Sequence, residues 1–487
     1  MTPALASCPN DRSARSLPER GTPVTSAAAR GYLRHTLSPD DGPAPVGLLL
    51  GPVEGRGKAL AAAGLDSDAW RAARLRWVGE ADRITRAMTW LDTSADLAAT
   101  TVGVKDTLDV GGMPTTLGHA NHRHYPAVDA LAVARIRALG LVVNGKACAT
   151  ELNIGAPGDV LNPVFPDLSP AGSSTGSAVS VAAGICDYAL ATDVLGSARW
   201  PAANCGVVGL RTTWRPERLA GGLPVSPTQD ALGLMARTVG DLRLLWRRGA
   251  VDDAGPGGTA ADGQGHRTTR VATVDNTGGC APGLADAQAR AVAALGELGL
   301  PHLATELPEE LWRARADAWE LCGIDVAEVV GEVESRLALR ISPVARASLA
   351  PEPEPGRRAE LLASQRRFRR SLLAHFDREG IDVLLMPVSS TPPKRVVERA
   401  GKPTLPKPGD IDYADRLGYT PIASFAGLPA LVLPAAVSAD HGPLAVQLVG
   451  RPGEEARLLD LGAALERVLD TRTELTSRVA RTLREAR

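Results

Sequence analysis

The sequence predicts an α/β fold, and two observations bear on this prediction. Short strands rich in β-branched residues alternate with amphipathic helices, which favours an α/β sheet over separate all-α and all-β regions. The chain has 487 residues, more than the roughly 250–300 at which a single hydrophobic core usually stops growing. Length alone therefore suggests two or three domains, with large single-domain α/β enzymes as the exception.

The first half of the chain supplies the clearest elements. Residues 1–45 are rich in Pro, Ser, Arg and Gly and predict a loosely ordered arm with one short helix near "SAAARGYLRH". Residues 66–95 place apolar and charged residues at helical spacing and predict an amphipathic helix. Three segments follow in order: "TTVGVKD" predicts a strand running into a lysine, "DALAVARIRALG" a helix closed by glycine, and "LVVNGKA" the next strand.

The second half predicts helices and two central strands. Residues 252–266 form a low-complexity segment and predict a mobile surface loop. Arg/Glu-rich helices through 308–378 should be divided by the prolines within 351–355. The remaining helices are predicted at "TVGDLRLLWRRGAV", "ADAQARAVAALGELG" and "EARLLDLGAALERVL", and the strands at "IDVLLMPVS" and "LPALVLPAAV".

Composition excludes several classes of function. The net charge of −1 and the aromatic content of 3% give no basic surface or stacking platform for nucleic acid. No run approaches the roughly 20 apolar residues of a membrane span, and the first 20 residues lack the apolar region of a secretory signal. Six cysteines without a C-x-x-C pair argue against a zinc ribbon or a disulfide framework. We therefore expect a cytoplasmic protein without nucleic-acid or membrane partners.

Two short motifs invite a functional interpretation and do not support one. "GPVEGRGKAL" at 51–60 has Pro52 and Ala59 where a phosphate loop requires a glycine and a hydroxyl. "GHANHRHYP" places His119, His122 and His124 close together, but no acidic or cysteine ligand accompanies them at the spacing of a known site. A polar loop is the preferred interpretation, and no metal site is predicted.

A glycine- and serine-rich stretch at 169–213 carries the chemistry. Its runs "AVSVAAGI" and "CGVVGL" are too apolar for a linker, so its glycines are expected in tight turns or close backbone contacts. Ser173 and Ser197 stand in two such turns, and Lys105 ends a strand upstream. Taken singly, Lys105 fits a surface lysine paired with Asp106, and Ser197 fits a turn serine. Taken together they suggest a serine nucleophile with a lysine base, because a serine hydroxyl needs a base to take its proton.

The sequence context of these residues resembles the amidase signature family. The blocks "GVKDTLDVGGMPTTLG", "AGSSTGSAVSVAAG" and "ATDVLGSARWPAANCGVVGLRTT" occur in the family's order, and the two serines lie 24 positions apart, as in that family. The resemblance covers roughly residues 75–470 and is loose over 215–390. It implies a large central mixed β-sheet covered by helices on both faces, as a single domain over 71–487, with a poorly matched arm at 1–70.

The resemblance also implies the site residues. Ser197 would be the nucleophile, Ser173 would relay its proton from a cis Gly172–Ser173 peptide, and Lys105 would be the final base. Backbone N–H groups would form the oxyanion hole, and three further residues would support the site; no cofactor or metal is implied. The oxyanion residues are Val194, Leu195, Gly196 and Ser197, and the supporting residues are Ser174, Asp193 and Arg199.

Two departures from the family pattern bear on function. Leu195 stands where the family usually has glycine, so its Cβ requires a compatible φ and narrows the pocket. Thr175 replaces a common glycine. Three functions stay open: hydrolysis of a small-molecule amide, which is preferred; an acyl-transfer role, as an amide-forming biosynthetic amidase or the glutaminase subunit of an amidotransferase; and a non-catalytic adaptor on the same fold. Homodimers are common in the family.

Overall fold

The computed structural model describes residues 46–251, 269–277, 279–399, 405–406, 408–410 and 412–486. The helix expected near "SAAARGYLRH" and the loop expected at 252–266 lie outside the described residues. The strands are β1 Met88–Leu91, β2 Thr101–Lys105, β3 Val142–Ala147, β4 Tyr188–Asp193, β5 Val208–Arg211, β6 Ala231–Ala236, β7 Val271–Val274, β8 His302–Thr305, β9 Val383–Pro387, β10 Ala430–Ser438 and β11 Gly442–Gly450.

Helices connect these strands throughout the described chain. Short 3₁₀ turns at Glu151–Asn153 and Pro216–Leu219 supplement them. The α-helices are α1 Val46–Leu49, α2 Arg56–Ala62, α3 Ser67–Thr85, α4 Leu131–Ala138, α5 Thr175–Ala182, α6 Arg199–Asn204, α7 Val239–Arg247, α8 Pro282–Glu297, α9 Glu309–Leu337, α10 Pro343–Ala347, α11 Arg357–Glu379, α12 Val396–Arg399, α13 Tyr413–Leu417, α14 Pro421–Ala426, α15 Glu455–Leu469 and α16 Arg472–Glu485.

The strands of the described chain form one mixed sheet. Their order is β1-β3-β2-β4-β6-β5-β10-β11-β9-β7-β8. The β3-β2-β4 and β9-β7-β8 neighbours are parallel, and the other neighbours are antiparallel. Because β2 and β4 run parallel, their carboxyl ends meet at one edge of the sheet. The expected large mixed sheet is confirmed.

Both faces of the sheet are covered by helices, and the strand alternation shows how. Along β4, Leu190 packs in the core that contains α4, α7, α8 and α15, whereas Ala189 and Ala191 pack with α3, α5 and α16. Along β9, Leu385 joins the first core, and Leu384 and Met386 pack with α9, α11 and α14. Side chains of a strand alternate between faces, so β4 and β9 are each buried on both sides of the sheet.

One predicted element is partly wrong. The helix expected over 66–95 ends at Thr85, and Arg86 adopts a left-handed conformation with φ 54°. The chain then turns into β1, whose Trp90 pairs antiparallel with Lys146 of β3. Apolar residues in β1 continued the helical spacing, and no glycine marks the turn, so the local pattern did not reveal the sheet pairing.

The described residues lack two features that would change the functional interpretation. No helix among them is both long enough and apolar enough to cross a membrane. Nor do they contain a group of three His, Cys, Asp or Glu side chains arranged to hold a metal ion. The cysteines in this part of the chain are unpaired: Cys148, Cys186, Cys205, Cys280 and Cys322.

Candidate active site

Lys105 lies at the carboxyl end of β2 and is completely buried. Val102 and Val104 face the core beneath α4. Because side chains alternate along a strand, Lys105 points to the other face of the sheet, which α5 covers. Its Nζ donates hydrogen bonds to Ser173 Oγ and to Thr192 Oγ1, each at 2.8 Å. Thr192 belongs to the parallel neighbour β4, so the meeting of two strand ends positions the lysine. The surface-lysine interpretation is wrong.

Burial governs the protonation of Lys105. Loss of water lowers the pKa of its ammonium group to about 7, although the negative charges of Asp230 and Asp193 oppose that shift. Asp230 is itself buried, and its pKa is raised to about 7 by burial, against the attraction of Lys105. A substantial fraction of Lys105 is therefore neutral near pH 7, as a general base requires.

The Ser173 turn is fixed by its neighbours. The Gly172–Ser173 peptide is cis, as the resemblance implies. Thr150 N–H donates to Ser173 O at 3.0 Å. A Cβ at position 172 would lie 2.8 Å from the Thr150 methyl group, so the close contact of these two segments requires glycine there.

Ser197 lies on the adjoining loop and lines a cavity. Its carbonyl oxygen accepts from Ser174 N–H at 3.2 Å, which joins the two serine turns. Ser174 Oγ donates to Thr192 O at 3.2 Å, so it reaches the Lys105 site through Thr192. Between the two described residues Ser173 and Ser197, the hydroxyl groups form no hydrogen bond, and Ser173 Oγ accepts the bond from Lys105 Nζ.

Asp193 shapes the loop that carries Ser197. Its carboxylate accepts from the N–H of Gly196 at 2.9 Å and of Ala198 at 3.2 Å. It also pairs with the buried guanidinium groups of Arg199, at 2.8 Å, and Arg211, at 3.2 Å. Burial raises the pKa of Asp193, but the two arginines outweigh it and hold the pKa well below its ordinary value. The carboxylate therefore stays ionised and orders the loop backbone.

The N–H groups around Ser197 differ in availability. Gly196 N–H is engaged by Asp193, whereas within the described chain no acceptor engages the N–H groups of Val194, Leu195 or Ser197. Leu195 is not among the described residues with positive φ, so its Cβ does not strain the backbone. Thr420 Oγ1 donates to Leu195 O at 2.5 Å and fixes that peptide. The free donors are therefore those of Val194, Leu195 and Ser197.

The cavity in front of Ser197 is small and mainly apolar. Its volume is about 140 Å³, comparable with cavities that hold a single benzene ring. Two tryptophan rings and several aliphatic side chains account for the apolar part of the wall. They include Ile154, Leu195, Trp200, Val225, Trp319, Val326 and Val388. A wall of this kind favours a compact substrate with an apolar portion.

Several important groups were not identified from the sequence. Thr192 lies one residue before Asp193 at the end of β4, where the side chains of parallel strands converge, and that position could have indicated Thr192. Asp230 and Thr420 are distant in sequence from Lys105 and Ser197, and no motif marks them. Among the histidines, His119 bonds Arg340 O, and His124 bonds Asp109.

Comparisons with known proteins show the family and the fold of this chain. The Amidase family model matches residues 76–459. One relative, a glutamyl-tRNA(Gln) amidotransferase subunit of Thermus thermophilus, is 31% identical over 422 residues, covering 79% of this chain and 88% of that protein. Indoleacetamide hydrolase of Pseudomonas savastanoi is 43% identical over 152 residues, covering 30% and 33%. A crystal structure of an amidase aligns with TM-score 0.71 and 26% identity, covering 85% of this chain and 99% of that one.

Proposed function

Because this chain belongs to the amidase signature family, we propose that it hydrolyses a small-molecule carboxamide through an acyl-enzyme on Ser197. The observation that carries the proposal is the buried Lys105 ammonium, bonded to Ser173 Oγ beside the Ser197 loop. A buried lysine with a pKa near 7 and a serine partner is suited to accept the proton of a serine nucleophile.

The proposed reaction proceeds in two halves. Ser197 Oγ attacks the amide carbon while its proton passes to Ser173, whose own proton passes to neutral Lys105. When the tetrahedral intermediate collapses, the C–N bond breaks and the leaving nitrogen takes the proton back from Lys105 through Ser173. Water then attacks the acyl-enzyme and loses its proton to Lys105 along the same route. When the second tetrahedral intermediate collapses, the C–O bond to Ser197 breaks, Ser197 Oγ takes that proton back from Lys105 through Ser173, and the carboxylic acid is released.

The negative charge of each tetrahedral intermediate would be stabilised by backbone donors. The free N–H groups of Val194, Leu195 and Ser197 are the candidates, and the Gly196 N–H instead holds Asp193. Loss of one such donor has cost roughly 10²–10³ in rate in a serine protease. Asp193 and Arg199 support this set by fixing the loop, and no cofactor is required.

A second candidate function is favoured by one comparison. The similarity to the amidotransferase subunit extends over most of both chains, so this chain could release ammonia from glutamine for transfer within a complex. That function requires partner subunits. Hydrolysis of glutamine by the purified chain only after such partners are added would favour the second candidate over the first.

The test is intact-mass analysis after incubation with a fluorophosphonate probe. The wild type should gain one adduct, Ser197→Ala should gain none, and Lys105→Ala should react at least 100-fold more slowly because the base is absent. Ser389→Ala is the matched control, since Ser389 lines the same cavity without contacting Lys105. An adduct that persists in Ser197→Ala would contradict the proposal, and the absence of any adduct would favour the adaptor interpretation.

A further inference from the structure

The cavity wall contains polar side chains that lack partners. Asn153 is 6% exposed and lines the cavity, yet within the described part of the chain neither its Oδ1 nor its Nδ2 has a hydrogen-bond partner. Thr150, three residues earlier, also lines the cavity, and its Oγ1 likewise lacks one. Thr150 adjoins the Ser173 turn, because its N–H donates to Ser173 O, and Asn153 is joined to Thr150 by a bond from Asn153 N–H to Thr150 O.

Unpaired groups of this kind call for an explanation. A buried amide or hydroxyl without a hydrogen bond destabilises a fold, and nearly all such groups in native proteins are paired. Asn204 lines the same cavity, but its Nδ2 donates to Ser169 O at 2.9 Å. The lack of partners at Asn153 is therefore not shared by Asn204, the other asparagine that lines this cavity in the described part of the chain.

The backbone presents Asn153 in an unusual conformation. Leu152 and Asn153 have φ values of 44° and 62°, a left-handed pair that costs free energy and is found most often at functional sites. Leu152 N–H donates to Leu117 O at 2.8 Å, and the carboxylate of Glu151 accepts from Ser342 N–H at 2.9 Å. These bonds hold the segment in place before any ligand binds.

We propose that Asn153, together with Thr150, is a recognition subsite for a second neutral amide group of the substrate. This inference rests on the proposed function, since it assumes that the scissile amide lies at Ser197. A carboxamide offers one acceptor and two donors, so it pairs with another carboxamide or a ureido group through two hydrogen bonds. An anionic group would instead be matched by a guanidinium or ammonium group, and the cavity wall contains Lys394 and Arg416, of which Arg416 is paired with Asp410 at 2.7 Å. The neutral group is therefore assigned to the position of Asn153 alone. The substrate class is a compact amide with a second carboxamide or ureido group.

The experiment compares matched substrates. Succinamide, glutaramide and adipamide carry a second carboxamide, and 4-methylpentanamide, 5-methylhexanamide and 6-methylheptanamide replace that group by an isopropyl group of similar shape. The wild type should show a kcat/KM at least tenfold higher for one diamide than for its branched partner, because the polar subsite would be left unpaired by the isopropyl group. Asn153→Ala should reduce this ratio to within threefold of unity.

Two further variants make the result specific. Asn153→Gly removes the amide and suits a φ of 62°, so it replaces Asn153→Ala if that variant fails to fold. Asn204→Ala is the matched control and should keep the wild-type ratio. A ratio that is unchanged in the Asn153 variants, or equal to unity in the wild type, would overturn the inference, and the unpaired amide would then hold ordered water.

Binding separates this inference from the proposed function. The affinities of Ser197→Ala for the same pairs, measured by calorimetry, do not depend on hydrolysis. A tenfold preference for a diamide that disappears when Asn153→Ala is added supports the subsite even if no amide is cleaved. Hydrolysis or probe labelling without any such preference would retain the proposed function and reject the subsite.

Discussion

Strand β4 has a buried carboxylate at each end, and the two use their arginine partners differently. Asp187, just before the strand, pairs with Arg56 at 2.5 Å and with Arg237 at 3.0 Å. Asp193, the last residue of the strand, pairs with Arg199 and Arg211. Burial raises the pKa of each carboxyl group, and in both cases the arginines outweigh it and hold the pKa well below its ordinary value.

The difference lies in what else each carboxylate binds. Asp187 joins segments that are far apart in the chain. Arg56 belongs to α2, and Thr101, the first residue of β2, donates its N–H to the Asp187 carboxylate at 3.0 Å. Asp193 instead accepts from Gly196 and Ala198 N–H in its own loop. The same ion pairing therefore secures packing at one end of the strand and shapes the Ser197 loop at the other.

The largest effect is expected for Asp193→Asn. Three backbone N–H groups and two buried guanidinium groups would lose their ionised partner, so the Ser197 loop should shift and the variant should lose about 3–5 kcal/mol of stability. We expect kcat/KM to fall at least 100-fold, because small misplacements in a site have large effects on rate. Steady-state kinetics and urea denaturation measure both quantities, and wild-type kcat/KM in this variant would contradict the role given to Asp193.

Asp187→Asn should separate stability from activity. The variant removes the ionised partner of Arg56 and Arg237 and of Arg74, which lies 3.6 Å from Asp187, and it should lose about 3–5 kcal/mol of unfolding free energy. Its kcat/KM, measured well below the unfolding temperature, should stay within threefold of wild type, because the carboxylate lies at the opposite end of β4 from Lys105. A loss of activity comparable with that of Asp193→Asn would remove the distinction between the two ends.

The sequence predicted the parts of this site that lie close together along the chain and missed those that depend on residues distant in sequence. Lys105, Ser173 and Ser197 lie in contiguous motifs, so the sequence alone could indicate them as candidate site residues. Asp230 could not, because its influence on Lys105 depends on strand β6 packing beside β4, where Ala231 pairs with Asp193. The engagement of Gly196 N–H by Asp193 is similarly a matter of loop geometry, which residue types alone do not specify.

The pH dependence of kcat/KM tests a smaller effect, the influence of Asp230 on the pKa of Lys105. Since burial lowers the pKa of Lys105 to about 7, kcat/KM should rise with pH through about 7 as the lysine loses its proton. Asp230 raises that pKa, and Arg211 and Asp193 are the other charged groups facing Asp230. Asp230→Asn should therefore move the midpoint to lower pH, whereas Asp187→Asn should leave it unchanged. A midpoint that stays near 7 in Asp230→Asn would exclude this coupling.

The smallest effect is expected for Thr420→Val, which tests how finely the loop is held. Thr420 Oγ1 donates to Leu195 O and accepts from Trp200 Nε1 at 3.0 Å. Its loss should cost about 1 kcal/mol of stability and lower kcat about tenfold, because the Leu195 peptide would no longer be fixed. Thr85→Val is the control, since that buried hydroxyl donates to Ala81 O within helix α3. If both variants lose the same stability and only Thr420→Val has a lower kcat, the side chain of Thr420 also orders the loop. If both variants have the same kcat, the loop is ordered by the Asp193 carboxylate without Thr420.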